Sequence, residues 1–199
     1  MGTDSLEALQ GAGRDLSAGR KLVMVTEQDE TLKALQMAIQ MEIDGKEYYQ
    51  KVSQSSNNPL GRELLQSLAD EEDIHRQKFE KIYSAIRSRK TWPVIDFQPD
   101  RSEGLRTIFA TATEKMGSSV KAADTEFDAV QKAMDMENKT YDFYKNQSRK
   151  AAFKAEKEFY ETLAAEERGH YLVLLDYNEY LNNPAGWFVE KEHPSLDGG

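Results

Sequence analysis

The chain of 199 residues contains no cysteine. That excludes disulfides, thiol catalysis and any iron held by cysteine thiolates. Long apolar runs are also missing: nothing approaches the roughly 18 residues that a membrane helix needs. LVMV at 22–25 is too short for the apolar segment of a secretory leader, which leaves the cytoplasm as the default expectation. Positive charge is in deficit, 26 Lys and Arg against 35 Asp and Glu, for a formal net charge of -9. The imbalance argues against nonspecific binding to nucleic acid or to an anionic membrane. No strand-like alternation occurs either.

What is present is charge at helical spacing. Charged residues make up 31% of the chain and the mean hydropathy is -0.74. That is compatible with a single folded domain when each helix hides only a narrow stripe. Residues 1–25 mix Gly, Ser, Ala and charges and read as a flexible arm. A first helix is expected from near Thr26, with Thr26 and Asp29 as a capping pair, to about Ser53. SQSSNNPLG then breaks it. Asn57 or Asn58 can cap a second helix with Pro59 in its first turn, running to about Arg87. After an irregular stretch containing Pro93 and Pro99, a short helix spans about Ser102 to Met116 and stops at Gly117. Two more long helices follow, from near Asp124 to Lys150 and from near Phe153 to Leu181, the last ending at NNPAG. The two short loops make antiparallel hairpins. The long connection between them suits a crossover, so residues 26–182 are expected to form an all-α four-helix bundle. The tail, 183–199, carries Trp187 and Phe188 and is expected to dock on that bundle.

The two hairpins are one unit written twice. MAIQMEIDGKEYYQKVS aligns with KAMDMENKTYDFYKNQS, and LADEEDIH with LAAEERGH. Glu42 and Glu137, Glu72 and Glu167, His75 and His170, and Tyr49 and Tyr144 are all 95 residues apart, without a gap. The steps of three and four along each helix define inward faces. The first reads Leu35, Ile39, Glu42, Lys46, Tyr49, and the second Leu65, Leu68, Glu72, His75, Phe79. The third reads Phe127, Val130, Met134, Glu137, Tyr141, Tyr144, and the fourth Tyr160, Leu163, Glu167, His170, Leu174. Each puts a glutamate mid-helix where leucine belongs, and two add a histidine one turn on.

Four carboxylates and two imidazoles at one level of a core are not tolerable alone. Each unpaired buried ion costs several kcal/mol, against the roughly 5–15 kcal/mol by which a domain is stable. No Lys or Arg is expected in that layer. Two divalent cations balance four carboxylates, and the neutral imidazoles complete the ligand sets. A Glu from each of two helices plus Glu-x-x-His from each of the others is the ligand pattern of di-iron and di-manganese bundles. Oxygen and nitrogen donors suit iron or manganese.

These residues resemble the ferritin-like superfamily and, within it, the rubrerythrin-like proteins. MEIDGKEYY, LADEEDIH, MENKTYDFY and LAAEERGH carry the likeness, which covers roughly residues 26–182. It implies two iron ions, manganese being the alternative, held by Glu42, Glu72, His75, Glu137, Glu167 and His170. Glu72 and Glu167 look terminal or near-bridging by that likeness. It also implies reaction with hydrogen peroxide or dioxygen, a part in oxidative-stress chemistry, and a homodimer. An oxygenase with an organic substrate, or a ferroxidase, are the alternatives.

Two departures matter. Rubrerythrins carry a four-cysteine iron domain, and here the electron donor must be a separate molecule. They also tend to place an extra Glu where this chain has Thr140, equivalent to Gly45, so chemistry that depends on that acid is in doubt. The small residues either leave room beside the metals or serve close helix packing. Tyr49 and Tyr144 either bond the ligand carboxylates, or carry a radical, or simply fill the core. Glu71 and Glu166 are turned about 100° off the inward face, a place for acids that orient a histidine or face solvent. His193 is expected at the surface.

Overall fold

The computed structural model describes residues 15–89, 92–93, 102–116 and 124–191. It contains α1 (Asp15–Ser55), α2 (Pro59–Arg89), α3 (Ser102–Met116), α4 (Asp124–Lys150), α5 (Lys154–Asn182) and α6 (Pro184–Lys191), with no strand among the described residues. No helix among them is long and apolar enough to cross a membrane.

Local chemistry explains most boundaries. Asn58 caps α2: its Oδ1 accepts the Leu60 amide at 3.0 Å, and Pro59 takes the first helical position, where no amide is required. Before α5, Glu156 reaches back to accept the Ala152 amide at 3.2 Å. Asn183 closes α5 with its own amide on the Glu179 carbonyl, and its side chain accepts the Gly186 amide to start α6. Two boundaries differ from the sequence expectation. The first helix starts at Asp15, before the proposed Thr26–Asp29 cap; from Asp15 to Thr26 the sequence has no proline and a single glycine, Gly19, so nothing there breaks the backbone. The residues from Pro184 form a short helix, and Trp187 on it packs edge-on against Phe109 (5.4 Å) and Tyr180 (5.8 Å). Residues 1–14 and His193 lie outside the described residues.

The core is two apolar layers with a polar layer between them. One layer gathers Tyr49, Leu60, Leu64, Leu65, Leu68, Val130, Met134, Val173 and Leu174. The other gathers Leu35, Ala38, Phe79, Ile82, Tyr144, Phe159, Tyr160 and Leu163. Read along the chain, α1 and α5 pass from the second layer to the first, and α2 and α4 from the first to the second. Thus α1 and α2 are antiparallel, as are α4 and α5, while α2 and α4 run the same way. The crossover must therefore return the chain along the bundle, and α3 does part of this with Leu105 and Phe109 in the first layer.

The inward faces need one adjustment. On α1 the buried positions are Leu35, Ala38, Glu42, Gly45, Tyr49 and Ser53, while Ile39 and Lys46 are half-buried, as are Phe127 and Tyr141 on α4. Lys46 leans outward and pairs with Asp73 at 2.7 Å.

Candidate metal centre

Between the apolar layers every long bundle helix contributes a carboxylate. Glu42 comes from α1, Glu72 and His75 from α2, Glu137 from α4, and Glu167 and His170 from α5. Their exposures are 1%, 4%, 1%, 3%, 1% and 2% respectively. Such burial of six polar side chains requires partners.

The donors converge into two groups. Glu42, Glu72, His75 and Glu167 each offer an atom within 4.8 Å of the others, and so do Glu72, Glu137, Glu167 and His170. Glu72 and Glu167 belong to both groups, whereas Glu42 and Glu137 each belong to one. Of the terminal or near-bridging roles that the likeness left open for Glu72 and Glu167, this geometry favours the shared one: they would serve both ions, and Glu42 and Glu137 would serve one each. The imidazoles turn Nδ1 inward. His75 Nδ1 lies 3.1 Å from Glu167, 3.5 Å from Glu42 and 3.7 Å from Glu72, and His170 Nδ1 lies 3.4 Å from Glu72 and 3.7 Å from Glu137. The rings stack 5.6 Å apart at 15°.

The residues fit a metal pair. Glu42 Oε2, His75 Nδ1, Glu137 Oε2, Glu167 Oε1 and His170 Nδ1 are buried and make no hydrogen bond, and all belong to the two groups. Electrostatics points the same way. Burial first, then the charge of Glu72, raises Glu42 well above the usual carboxylate range. Burial and the charges of Glu72 and Glu137 do the same to Glu167. For Glu72 burial pushes upward, but the neighbouring Glu42 carboxyl and the His170 and His75 imidazoles outweigh it and hold it well below. Burial opposes charging of both histidines, yet the surrounding carboxylates raise both. Without cations the cluster therefore holds protons where a metal pair would sit.

The tyrosines are part of the site. Tyr49 donates to Glu137 Oε1 and Tyr144 donates to Glu42 Oε1, each reaching from one hairpin to the unshared carboxylate of the other. Glu166 is 6% exposed and its Oε2 lies 2.7 Å from His75 Nε2, the ring nitrogen facing away from the cluster. Lys78 Nζ approaches the same oxygen at 3.2 Å. Burial would raise Glu166, but His75 and Lys78 bring it down to about 2. Lys78 was missed in the sequence because it lies off the inward face. Its four-carbon stem reaches across to α5.

Gly45 sits against Glu72: a methyl placed there would lie 3.5 Å from Cγ and 3.6 Å from Cδ. Thr140 turns its hydroxyl to the Met136 carbonyl at 3.2 Å, so the position supplies no carboxylate.

With this geometry in view, comparison adds a family. The family model described as rubrerythrin matches residues 33–177, and the chain belongs to that family, of the ferritin-like superfamily. No curated protein matched the chain. Among solved structures it is similar to "Hypothetical Protein Pfu-1136390-001 From Pyrococcus furiosus", at 24% identity and a TM-score of 0.57, over 77% of this chain and 91% of that one. At that identity the likeness concerns the fold alone.

Proposed function

We propose that this member of the rubrerythrin family is a di-iron oxidoreductase that reacts with hydrogen peroxide or dioxygen and draws electrons from a separate donor. One observation carries the reading: two buried groups of three carboxylates and one imidazole overlap through Glu72 and Glu167. Two irons bound there would cycle between the ferrous and ferric states and supply two electrons between them; manganese would suit the same donors.

The chain's own contribution is positional. Tyr49 and Tyr144 hold one oxygen of each unshared carboxylate and leave the other for metal. Glu166 fixes the ring of His75 from behind, so that Nδ1 faces the cluster. Phe79, Leu163 and Ile82 on one side and Leu65, Leu68 and Leu174 on the other keep bulk water from the layer. Gly45 keeps a side chain out of the space beside Glu72.

The test is metal analysis of protein purified without oxygen, followed by rapid mixing of the reduced form with peroxide or with oxygen. A fast optical change with one oxidant supports the reading. Iron bound at both positions but inert to both oxidants contradicts it.

A further inference from the structure

A cavity of about 270 Å³ opens where the end of α1 meets the start of α4. Val52 and Ala129 are its half-buried walls, and Ser55, Asn57 and Thr125 stand exposed at its mouth. Ser56 and Glu126 lie at its base, each 7% exposed. Glu126 precedes Glu137 by three turns of the same helix, about 16 Å, so the cavity is no part of the metal layer.

An acid at that depth needs donors, and only one of its oxygens has them. Tyr177 and Ser56 both donate to Glu126 Oε1 at 2.6 Å. Asn58 fixes those directions, its side-chain amide donating to the Tyr177 hydroxyl at 3.2 Å and its backbone amide to Ser56 Oγ at 3.1 Å. The three side chains meet over Gly61, where a Cβ would run into the Tyr177 hydroxyl. Oε1 is thereby filled. Among the described residues Oε2 accepts no hydrogen bond, and no Lys, Arg or His pairs with the carboxylate. The last turn of α1, the negative end of its dipole, carries no basic residue either. The amino end of α4 favours an acid in its first turn, but exposed Asp124 meets that preference without burial.

The internal repeat shows that the fold does not require this arrangement. At the other end of the bundle the equivalents of Ser56, Glu126 and Tyr177 are Ala151, Thr31 and Ile82, and Glu156 replaces Gly61. Glu156 is also buried, but it accepts the Ala152 amide of its own turn. Glu126 instead crosses between hairpins and keeps an oxygen for the cavity.

We propose that this cavity binds a small primary amine, with its ammonium group on Glu126 Oε2 and its carbon chain between Val52 and Ala129. An ammonium supplies what the base lacks, positive charge and N–H donors. The volume holds about nine water-sized groups at roughly 30 Å³ each, too much space for a bare ion. The bound amine touches both hairpins.

The test titrates butylammonium chloride into the isotope-labelled full chain, followed by amide NMR. Saturable shifts should concentrate at Val52, Ser55, Thr125 and Ala129. Butan-1-ol, with the same carbon chain and no charge, should bind at least tenfold more weakly, and sodium chloride at matched ionic strength should give no such shifts. Glu126→Gln keeps an acceptor for Ser56 and Tyr177 but removes the charge, and it should weaken binding about tenfold or more. Ala129→Leu leaves Glu126 and its partners in place, fills the cavity and should abolish binding, with circular dichroism confirming the helices of both variants. No saturable shift in the unmodified chain overturns the site. Equal binding of butan-1-ol overturns the choice of a cation, and equal shifts with sodium mean an adventitious ion only. Unchanged affinity in a folded Glu126→Gln or in Ala129→Leu overturns the assignment to this cavity. Metal content should be the same in both variants, so failure here leaves the proposed metal chemistry standing.

Discussion

Tyr49 on α1 gives its phenolic hydrogen bond to Glu137 on α4, so each hairpin steadies the unshared carboxylate of the other, since Tyr144 returns the bond to Glu42. The two halves of the site are thereby tied together by side chains that bind no metal themselves. Tyr49→Phe and Tyr144→Phe should each keep the fold and lower metal affinity by about 10- to 100-fold, as loss of an outer partner typically does. Anaerobic ferrous titration measures this. Unchanged affinity in both variants would reduce the tyrosines to core filling.

Sharing of Glu72 and Glu167 between the two donor groups predicts a stoichiometry. Glu72→Ala or Glu167→Ala should lose both metals, whereas Glu42→Ala or Glu137→Ala should weaken one position and retain metal at the other. Metal content per chain, by elemental analysis, distinguishes them. Equal retention across all four variants would rule out the bridging assignment.

The cluster also predicts a dependence on pH. Glu42, Glu167, His75 and His170 all hold their protons more tightly folded than unfolded. A group raised by folding adds stability below its unfolded value, and that stability is lost as pH rises through the folded value. Glu72 is depressed, so its contribution is lost only in acid, below the usual carboxylate range. Metal-free protein should therefore lose stability as pH rises from mildly acid to alkaline. Metal uptake should release protons, and metal affinity should fall as pH drops. Thermal melts with and without metal, and proton release in weak buffer, test this; metal-free stability that climbs with pH would contradict it.

Two glycines should respond oppositely to alanine. A methyl at Gly61 would collide with the Tyr177 hydroxyl and with Glu126 and Ser56. Those groups form a buried knot: Ser56 and Tyr177 both donate to Glu126 Oε1 at 2.6 Å, joining the α1–α2 turn to α4 and α5. Gly61→Ala should cost about 1–3 kcal/mol. Gly45→Ala meets only ordinary contact distances to Glu72, and it should gain roughly 0.5–1 kcal/mol of helix stability. Denaturant unfolding of both variants reads the difference; equal effects would mean that the space around one of them is misjudged.

The six candidate ligands were legible in the sequence because a fixed 95-residue offset filters chance Glu-x-x-His pairs, and because burial of bare carboxylates has so few physical solutions. The hairpins and the crossover followed from loop lengths. What could not be read is what depends on how helices cross. Nothing along α1 says that Tyr49 bonds to the other hairpin, or that Glu72 rather than Glu42 is shared. Glu166 illustrates the limit: its offset from the inward face was evident, but its contact with His75 needs the α2–α5 separation. The extension of α1 back to Asp15 was missed because Thr26 and Asp29 have the form of a cap, and a cap pattern inside a continuous helix has no effect.

The most direct measurement is an anaerobic ferrous titration of the unmodified chain, followed by oxidation and magnetic spectroscopy of the product. Two irons per chain, antiferromagnetically coupled once oxidised, are the predicted result, since shared carboxylates place both ions in one exchange pathway. A single iron, or two that remain magnetically independent, would contradict a centre bridged by Glu72 and Glu167.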